Sequence, residues 1–221
     1  MSDSLSSLEL SRHNRHMLMP QIGIAGQKKL KAARVLVIGA GGLGCPILQY
    51  LAAAGIGHLG IVDFDTVDLS NLQRQILFTT DDIGKSKAKT AKKRLLQINP
   101  HIQIQAFDQK VTSENIFSII ENYDIVLDGT DNFPTRYLVN DACVLKDKIN
   151  VFGSIFQFEG QVAVFNFPLD DGTRSANYRI YSPFRPMQVV FRIVQKQVFS
   201  VFSQALLGVC KPLKSSKSSR E

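Results

Sequence analysis

A turn of four glycines after an apolar run is the first feature of this sequence that could do chemistry. Residues 34–38 are predicted to form a buried strand, and the turn follows at once with Gly39, Gly41, Gly42 and Gly44. Gly39 permits a tight turn, Gly41 lets the backbone approach a phosphate, and Gly44 lets the following helix pack close to the strand. The pattern predicts an anion site at a helix N-terminus, as in nucleotide-binding folds.

Carboxylates follow the next predicted strand, about twenty residues after the turn. Asp63 falls at the tip of that strand, where it could bind ribose hydroxyls, and Asp65 follows closely. These residues alone fit a nicotinamide-dependent oxidoreductase as well as another kind of nucleotide-binding protein.

Several further motifs occur in order along the chain and are unlike those of a dehydrogenase. They are Arg12-His13-Asn14-Arg15-His16, Ser70-Asn71-Leu72-Gln73-Arg74-Gln75, Gly84-Lys85-Ser86-Lys87 and Leu127-Asp128-Gly129-Thr130-Asp131-Asn132. Together with the glycine turn they resemble the ThiF/MoeB/HesA family, the bacterial relatives of ubiquitin-activating enzymes, and they are closest to its MoeB branch. The resemblance covers about residues 8 to 179.

The resemblance implies an adenylyltransferase. In this family the C-terminal glycine carboxylate of a ubiquitin-like sulfur carrier protein attacks the α-phosphate of ATP, which gives an acyl-adenylate and pyrophosphate. The carrier would be of the MoaD type, for molybdopterin and the molybdenum cofactor, or of the ThiS type, for thiazole in thiamine biosynthesis.

The resemblance also assigns roles to residues of this chain. Arg74 and Lys87 match positions that neutralise the triphosphate, and such electrostatic stabilisation is usually the largest catalytic contribution. Arg15 matches an arginine that is offered across a dimer interface to the partner's ATP, so a homodimer is expected. Asn71 would hydrogen-bond the phosphates, and Asp131 would hold Mg²⁺, which usually binds one or two carboxylates plus substrate phosphates. The remaining members of the nucleotide-binding set are Asp63, Asp65, Ser70 and Asn132.

These motif residues also have structural explanations. Lys85, Lys87 and Lys89 could pave the exposed face of a helix. Asp128 and Asp131 could form a strand-end turn and a helix N-cap before Asn-Phe-Pro. The ordered combination of motifs, rather than any single residue, favours the functional interpretation.

The histidines and cysteines give no sign of a metal site. His13 and His16 lie on a predicted helix and are expected at the surface or at an interface. Cys45 and Cys143 fall in predicted helices and are expected to be small core residues. Three cysteines in the whole chain do not suggest a disulfide framework.

Length and composition fit one α/β domain. A chain of 221 residues with 44% hydrophobic residues can bury one sizeable core. No run reaches the ~18 apolar residues of a membrane span, and the first residues lack a signal-peptide pattern, so a cytoplasmic protein is expected.

The alternation of strands and helices predicts a doubly wound, Rossmann-like and mainly parallel sheet flanked by helices, with a C-terminal antiparallel hairpin. Helices are predicted at residues 8–19, 43–54, 85–97, 113–120 and 135–146. Strands are predicted at residues 34–38, 59–63, 102–107, 124–128, 149–156 and 161–167.

The sequence changes character after Arg179. Residues 180–221 hold seven basic residues and one acidic residue, so they carry +6 of the net charge of +7. A basic, Ser-rich terminus would ordinarily suggest binding to nucleic acid or to a membrane surface. However, the codons compatible with this tail, read with one extra base before Ile180, permit a segment that resembles the family's proline-rich stretch, cysteine loop and final helix.

We therefore interpret residues 1–179 as an ATP-binding adenylation domain that is incomplete at its C-terminal end. Residues 180–221 are interpreted as an out-of-frame tail without a native fold, and neither nucleic acid nor membrane is expected as a partner. The family cysteine of the thioester or persulfide step would have been encoded across the codons of Ile193 and Val194, and Cys210 does not replace it. Many relatives have the first Cys-x-x-C pair of a zinc site where this chain has Ala176-Asn177-Tyr178-Arg179, so no zinc is expected.

Three functions compete at this point. The motifs favour the adenylyltransferase, and the tail leaves open a catalytically impaired fragment that binds ATP without engaging a carrier. The glycine turn alone leaves open a nicotinamide oxidoreductase. Carrier-dependent adenylate formation, ATP binding without adenylate, and a preference for NAD would distinguish the three.

Overall fold

A computed structural model describes residues 4–157 and 159–182 and contains one sheet. Its strands are Arg34–Ile38 (β1), His58–Val62 (β2), Gln103–Phe107 (β3), Ile125–Asp128 (β4), Ile149–Phe156 (β5) and Glu159–Phe165 (β6). The strand order is β3-β2-β1-β4-β5-β6, with β1 to β5 parallel and β6 antiparallel to β5. The prediction of a Rossmann-like sheet with a C-terminal antiparallel hairpin is confirmed.

The helices flank this sheet and join its strands. They are Ser7–Arg12 (α1), Asn14–Met17 (α2), Gly23–Ala32 (α3), Gly44–Ala54 (α4), Lys87–Ile98 (α5), Ile116–Ile120 (α6), Phe133–Leu145 (α7) and Tyr178–Tyr181 (α8). Short 3₁₀ turns lie at Leu69–Asn71 and Thr80–Asp82. None of the helices within the described ranges is long and apolar enough to cross a membrane.

Both faces of the sheet are apolar, because successive side chains of a strand point to opposite sides. On β1, Val35 and Val37 belong to the core that includes residues of α4 and α5. Leu36 and Ile38 belong to the second core, which includes residues of α6 and α7. The central strand is therefore buried on both sides, as is usual in parallel sheets, and its carboxyl end is the part left open for a ligand.

The N-terminal segment differs from its prediction. Instead of one helix over residues 8–19, α1 and α2 are separated at His13. His13 is 4% exposed, so its expected surface position is wrong. Its ring lies so close to Gly55 that a Cβ atom there would be 2.7 Å from the His13 Nε2. The helix α3 was not predicted.

The predicted boundary after Arg179 concerns the C-terminal part of the chain. Residues 183–221, which hold Ile193, Val194 and Cys210, lie outside the described residues. The interpretation of residues 180–221 as an out-of-frame tail therefore stays a prediction.

Candidate nucleotide site

A cleft of about 590 Å³ opens at the carboxyl ends of the parallel strands. It lies where the strand order reverses, since β1 pairs with β2 on one side and with β4 on the other. In open α/β sheets this switch point is where ligands bind. The cleft brings together ten of the predicted site residues: Gly39, Gly41, Gly42, Asp63, Asp65, Asn71, Arg74, Lys87, Asp131 and Asn132.

The glycine turn has the geometry that its sequence predicts. Gly39 has a φ of +93°, which favours glycine, and its N–H donates to the Val62 carbonyl at 2.8 Å. Gly44 lies outside the cleft lining, and a Cβ atom there would be 1.8 Å from the Gly39 carbonyl oxygen. Gly44 therefore acts through close packing of α4 against the turn rather than through ligand contact. Gly41 and Gly42 both line the cleft.

Asp63 ties the end of β2 to the glycine turn. Its Oδ2 accepts a hydrogen bond from the Ala40 N–H at 2.7 Å, and its Oδ1 accepts one from the Asp65 N–H at 2.8 Å. Burial raises the pKa of Asp63, and these two N–H donors act against that rise. The carboxylate is thus held in place at the lip of the cleft, where ribose hydroxyls could meet it.

The lysines of the Gly84-Lys85-Ser86-Lys87 segment and its helix are separated by the fold. Lys85 and Lys89 have side chains that are 59% and 72% exposed, whereas the Lys87 side chain is 7% exposed. The Lys87 ammonium donates to Asp65 Oδ2 at 3.0 Å. The alternative of three lysines on one exposed helix face is therefore wrong for Lys87, which carries its charge into the cleft wall.

Arg74 supplies a second cation to the cleft. Its Nη1 donates to the Ser70 carbonyl oxygen at 3.1 Å. A Cβ atom at Gly42 would lie 3.4 Å from Arg74 Cδ, so the side chain extends over the glycine turn. Ser70 does not line the cleft, and its hydroxyl donates to Asp68 Oδ1 at 2.6 Å. The structure therefore places Arg74 over the glycine turn, with the Ser70 carbonyl oxygen as its hydrogen-bond partner.

The turn after β4 carries the remaining predicted site residues. Asp128 forms the strand-end turn, because its Oδ1 accepts from the Thr130 N–H at 2.9 Å and from the Thr130 hydroxyl at 2.7 Å. The N-cap of α7 is Asn132, not Asp131, since Asn132 Oδ1 accepts from the Thr135 N–H at 3.0 Å. Asp131 lies between these two fixed residues, is exposed, and lines the cleft.

Arg15 is not in the cleft of its own chain. It lies exposed on α2. Its assignment to the ATP of a second chain stays a prediction.

Sequence reasoning did not assign several polar and aromatic residues of the cleft to the site. Gln109 and Lys110 line it beyond β3, and the Lys110 ammonium lies 5.8 Å from the ring centre of Phe64, another lining residue. Arg136 lines the opposite end and is only 8% exposed. These contacts join distant parts of the chain, although the Arg four residues after Asn132 was a local signal that could have been noticed.

The residues of the cleft fit a divalent cation that arrives with a phosphate ligand. No group of three or more His, Cys, Asp or Glu residues that could hold a metal ion occurs among residues 4–157 and 159–182. Asp131 offers one carboxylate. Mg²⁺ usually binds only one or two protein carboxylates and completes its coordination shell with phosphate oxygens and water, so one carboxylate is enough.

The two cysteines of the described chain are core residues, as predicted. Cys45 and Cys143 are both fully buried. Burial raises the pKa of each thiol to about 12.

Comparison with known proteins gives a family model and individual relatives that match this chain. The model of the ThiF family matches residues 13–209. The sulfur carrier protein adenylyltransferase of Thermus thermophilus is 48% identical over 93% of this chain and 80% of its own length. A probable adenylyltransferase/sulfurtransferase MoeZ of Mycobacterium tuberculosis is 52% identical over 84% of this chain and 47% of its own length. A probable molybdopterin-synthase adenylyltransferase of Porphyra purpurea is 54% identical over 72% of this chain and 42% of its own length.

Solved structures share the fold. PaaA has a TM-score of 0.74 at 24% identity, with 96% of this chain and 69% of that chain covered. TcdA (CsdL) has a TM-score of 0.65 at 27% identity, with 73% and 63% covered. The chain spans less than half the length of two of the curated relatives named above.

Proposed function

The chain belongs to the ThiF family, and we propose that it activates the C-terminal glycine carboxylate of a ubiquitin-like sulfur carrier protein by adenylation. A carboxylate oxygen attacks the α-phosphorus of ATP and forms the acyl–phosphate bond. The bond between the α-phosphorus and the bridging oxygen breaks, and pyrophosphate leaves with that oxygen. Curated relatives named as adenylyltransferases support this reaction class.

The arrangement of the cleft is the observation that carries this proposal. Along the sheet edge, the carboxylate after β2 is followed by the glycine turn after β1 and then by the exposed Asp131 after β4. We assign the ribose to Asp63 and the phosphates to the glycine turn with Asn71. The acyl carboxylate then enters from the β4–β5 side, where it would meet the α-phosphate.

Two anions must approach each other in this reaction, so the cleft needs positive charge. Lys87 is buried and fixed by Asp65, which keeps its ammonium in place before ATP arrives. Arg74 extends over the glycine turn, where it could follow the phosphates. Preorganised charges of this kind act on the charge that develops in the transition state.

We assign Mg²⁺ to Asp131. When bound together with ATP, the ion would neutralise phosphate charge and favour departure of pyrophosphate. Asn132 holds the start of α7 through its N-cap bond and therefore steadies the neighbouring Asp131.

We propose a homodimer in which Arg15 serves the partner's ATP. This assignment is consistent with the exposed position of Arg15 on α2, outside the cleft of its own chain. A monomer would then be nearly inactive.

We propose a MoaD-type carrier, in line with the relative named molybdopterin-synthase adenylyltransferase. A ThiS-type carrier is the alternative. A cytoplasmic location stays a prediction. Residues 1–179 would form the adenylation domain, and the tail would leave a second possibility, a fragment that binds ATP but does not form adenylate.

The test is carrier-dependent ATP–pyrophosphate exchange, measured on this chain beside a variant with the frame restored after Arg179. A MoaD-like carrier should support exchange, and the same carrier without its terminal glycine should not. Exchange by both proteins would mean that residues 1–179 suffice. Exchange by the restored variant alone would favour the impaired fragment for this chain, and exchange by neither protein with MoaD-like or ThiS-like carriers would refute the proposed function.

A further inference from the structure

Arg136 is a buried cation at the wall of the cleft, and it interacts electrostatically with the buried carboxylate of Asp128. It lies on α7 and is 8% exposed. Among the residues that the structure describes, no carboxylate lies within salt-bridge distance of its guanidinium. Burial of a charge is costly even near an opposite charge, so a residue that served packing alone would be better replaced by an apolar one.

The guanidinium of Arg136 donates two hydrogen bonds to the backbone of Thr130. Its Nε and Nη2 donate to the Thr130 carbonyl oxygen at 3.2 and 2.9 Å. Nη2 also donates to the hydroxyl of Ser154 on β5 at 3.0 Å. One side chain thus joins the turn after β4 to the neighbouring strand.

Thr130 is held from its other side as well. Asp128 Oδ1 accepts from both the N–H and the hydroxyl of Thr130. The Thr130 carbonyl belongs to the planar peptide group that leads into Asp131, so two N–H donors on that oxygen restrict the rotation of this peptide. Asn132, on the far side of Asp131, is fixed as the N-cap of α7.

We infer that Arg136 is a positioning residue for Asp131, which it holds toward the cleft through the Thr130 carbonyl. The inference rests on the proposed function, in which Asp131 holds Mg²⁺ beside ATP. Because a small misplacement of a catalytic group can lower a rate by about 10²-fold, loss of this clamp should affect the reaction more than it affects the fold.

The ring contacts of Arg136 define the competing structural role. Its guanidinium carbon lies 5.5 Å from the ring centre of Phe133 and 5.3 Å from that of Phe152. A residue that only packed against these rings would lower stability when changed and would leave the response to Mg²⁺ unaltered. The two roles therefore differ in a measurable quantity.

The experiment is a double-mutant cycle of Arg136→Lys and Asp131→Asn. Lysine keeps the charge but has a single nitrogen and cannot reproduce the paired bonds of Nε and Nη2. ATP affinity is measured by calorimetry with and without Mg²⁺, and carrier-dependent pyrophosphate exchange is measured in parallel. Arg136→Lys should lower exchange roughly 10- to 100-fold, the value of a lost hydrogen bond to a charged group.

The decisive quantity is the gain in ATP affinity on adding Mg²⁺. Arg136→Lys should reduce this gain toward that of Asp131→Asn, and the double variant should be no worse than Asp131→Asn alone. The inference would be overturned if Arg136→Lys kept the wild-type gain in ATP affinity on adding Mg²⁺. It would also be overturned if the reductions in this gain caused by the two single substitutions added up as independent effects in the double variant. A wild-type protein whose ATP affinity does not respond to Mg²⁺ would overturn it as well.

The binding cycle separates this inference from the proposed function. If the wild-type protein shows the Mg²⁺ gain but no pyrophosphate exchange, adenylation is refuted while the cycle still decides the role of Arg136. Ser154→Ala, which removes the bond to β5, should give a smaller shift in the same direction and replaces Arg136→Lys if that variant does not fold.

Arg94 offers a matched control. Its guanidinium donates to Asp82 Oδ2 at 2.7 Å and to the Thr79 hydroxyl at 2.7 Å, and it does not line the cleft. Arg94→Lys should lower the melting temperature and leave the Mg²⁺ gain at its wild-type value. An equal loss of the gain in Arg94→Lys would contradict the role given to Arg136.

Discussion

Alanine at Gly44 and alanine at Gly41 should damage the protein in different ways, although both residues belong to one turn. A Cβ atom at Gly44 would lie 1.8 Å from the Gly39 carbonyl oxygen, whereas Cβ contacts under 3.0 Å are essentially never seen. The turn and α4 would have to separate by about 1.2 Å, the difference between these distances. Both sides of the contact are backbone, so no side-chain rotation can relieve it.

We therefore expect Gly44→Ala to cost about 3 kcal/mol, the upper part of the usual range for overpacking. For a domain of this size that loss lowers the melting temperature by roughly 6–12 °C, at about 2–4 °C per kcal/mol.

A Cβ atom at Gly41 would meet nothing nearer than Gln75 Nε2 at 3.8 Å, an ordinary contact. Gly41→Ala should keep the wild-type melting temperature, because the added methyl group is accommodated. The methyl group would stand where the backbone approaches a phosphate, so ATP affinity should fall by about tenfold or more, equivalent to about 1.4 kcal/mol.

Scanning calorimetry and ATP titration of both variants test this division. The expected result is a stability loss confined to Gly44→Ala and an affinity loss in a stable Gly41→Ala. Equal melting temperatures for the two variants, or wild-type ATP affinity in Gly41→Ala, would refute the reasoning.

Other perturbations test separate parts of the site. Lys87→Met should lower the pyrophosphate exchange rate about 10²- to 10³-fold, as for loss of one preorganised charge, and a wild-type rate would contradict its role. In a mixture of Lys87→Met and Arg15→Ala chains, activity should partly return if each dimer shares Arg15 across its interface, and an inactive mixture that forms mixed dimers would exclude such sharing. Burial lowers the pKa of His13 below 6.5, so the unfolded chain takes up this proton more readily than the folded one. The contribution of His13 to stability is therefore present above pH 6.5 and lost as the pH falls through the folded pKa. When the pH is lowered from 7.5 to 5.5, the melting temperature of His13→Gln should fall less than that of the wild type. An equal fall in both proteins would contradict this. Burial raises the thiol pKa of Cys45 and Cys143 to about 12, so neither should react with a thiol reagent at pH 8 until the protein unfolds, as followed by peptide mass spectrometry.

The parts of the fold that could be predicted are those in which local pattern and final environment agree. The strand β1 is a continuous apolar run, and in the structure it is buried on both faces. The glycine turn was predictable because Gly39 and Gly44 have conformational and packing requirements that few other residues meet.

The N-terminal segment could not be predicted in the same way. His13 looks like a polar helix residue, but its burial depends on Gly55, which is distant in sequence. The helix α3 buries Gln27 and Leu30 without a continuous apolar stripe, because Gln27 donates to the Ala54 carbonyl oxygen instead. Such polar burial is decided by tertiary contacts.

In the candidate site, too, some features could be predicted from the sequence and others depend on tertiary contacts. The local charge pattern does not separate Lys87 from its neighbours Lys85 and Lys89. The family resemblance singles out Lys87, and the fold shows that it is the buried one of the three. The local signal for Arg136, four residues after Asn132, does not reveal its contacts, which are with a carbonyl oxygen in the turn after β4 and a hydroxyl on β5. Sequence motifs predicted which residues would contact a ligand, and the structure shows which neighbours hold those residues in place.

The proposed adenylation is tested most directly by intact mass spectrometry of a MoaD-like carrier incubated with this protein, ATP and Mg²⁺. We expect a carrier species heavier by one AMP group, dependent on the terminal glycine and absent with the Asp131→Asn variant. A folded protein that binds ATP but yields no such species with MoaD-like or ThiS-like carriers, even with the frame restored after Arg179, would contradict the proposal.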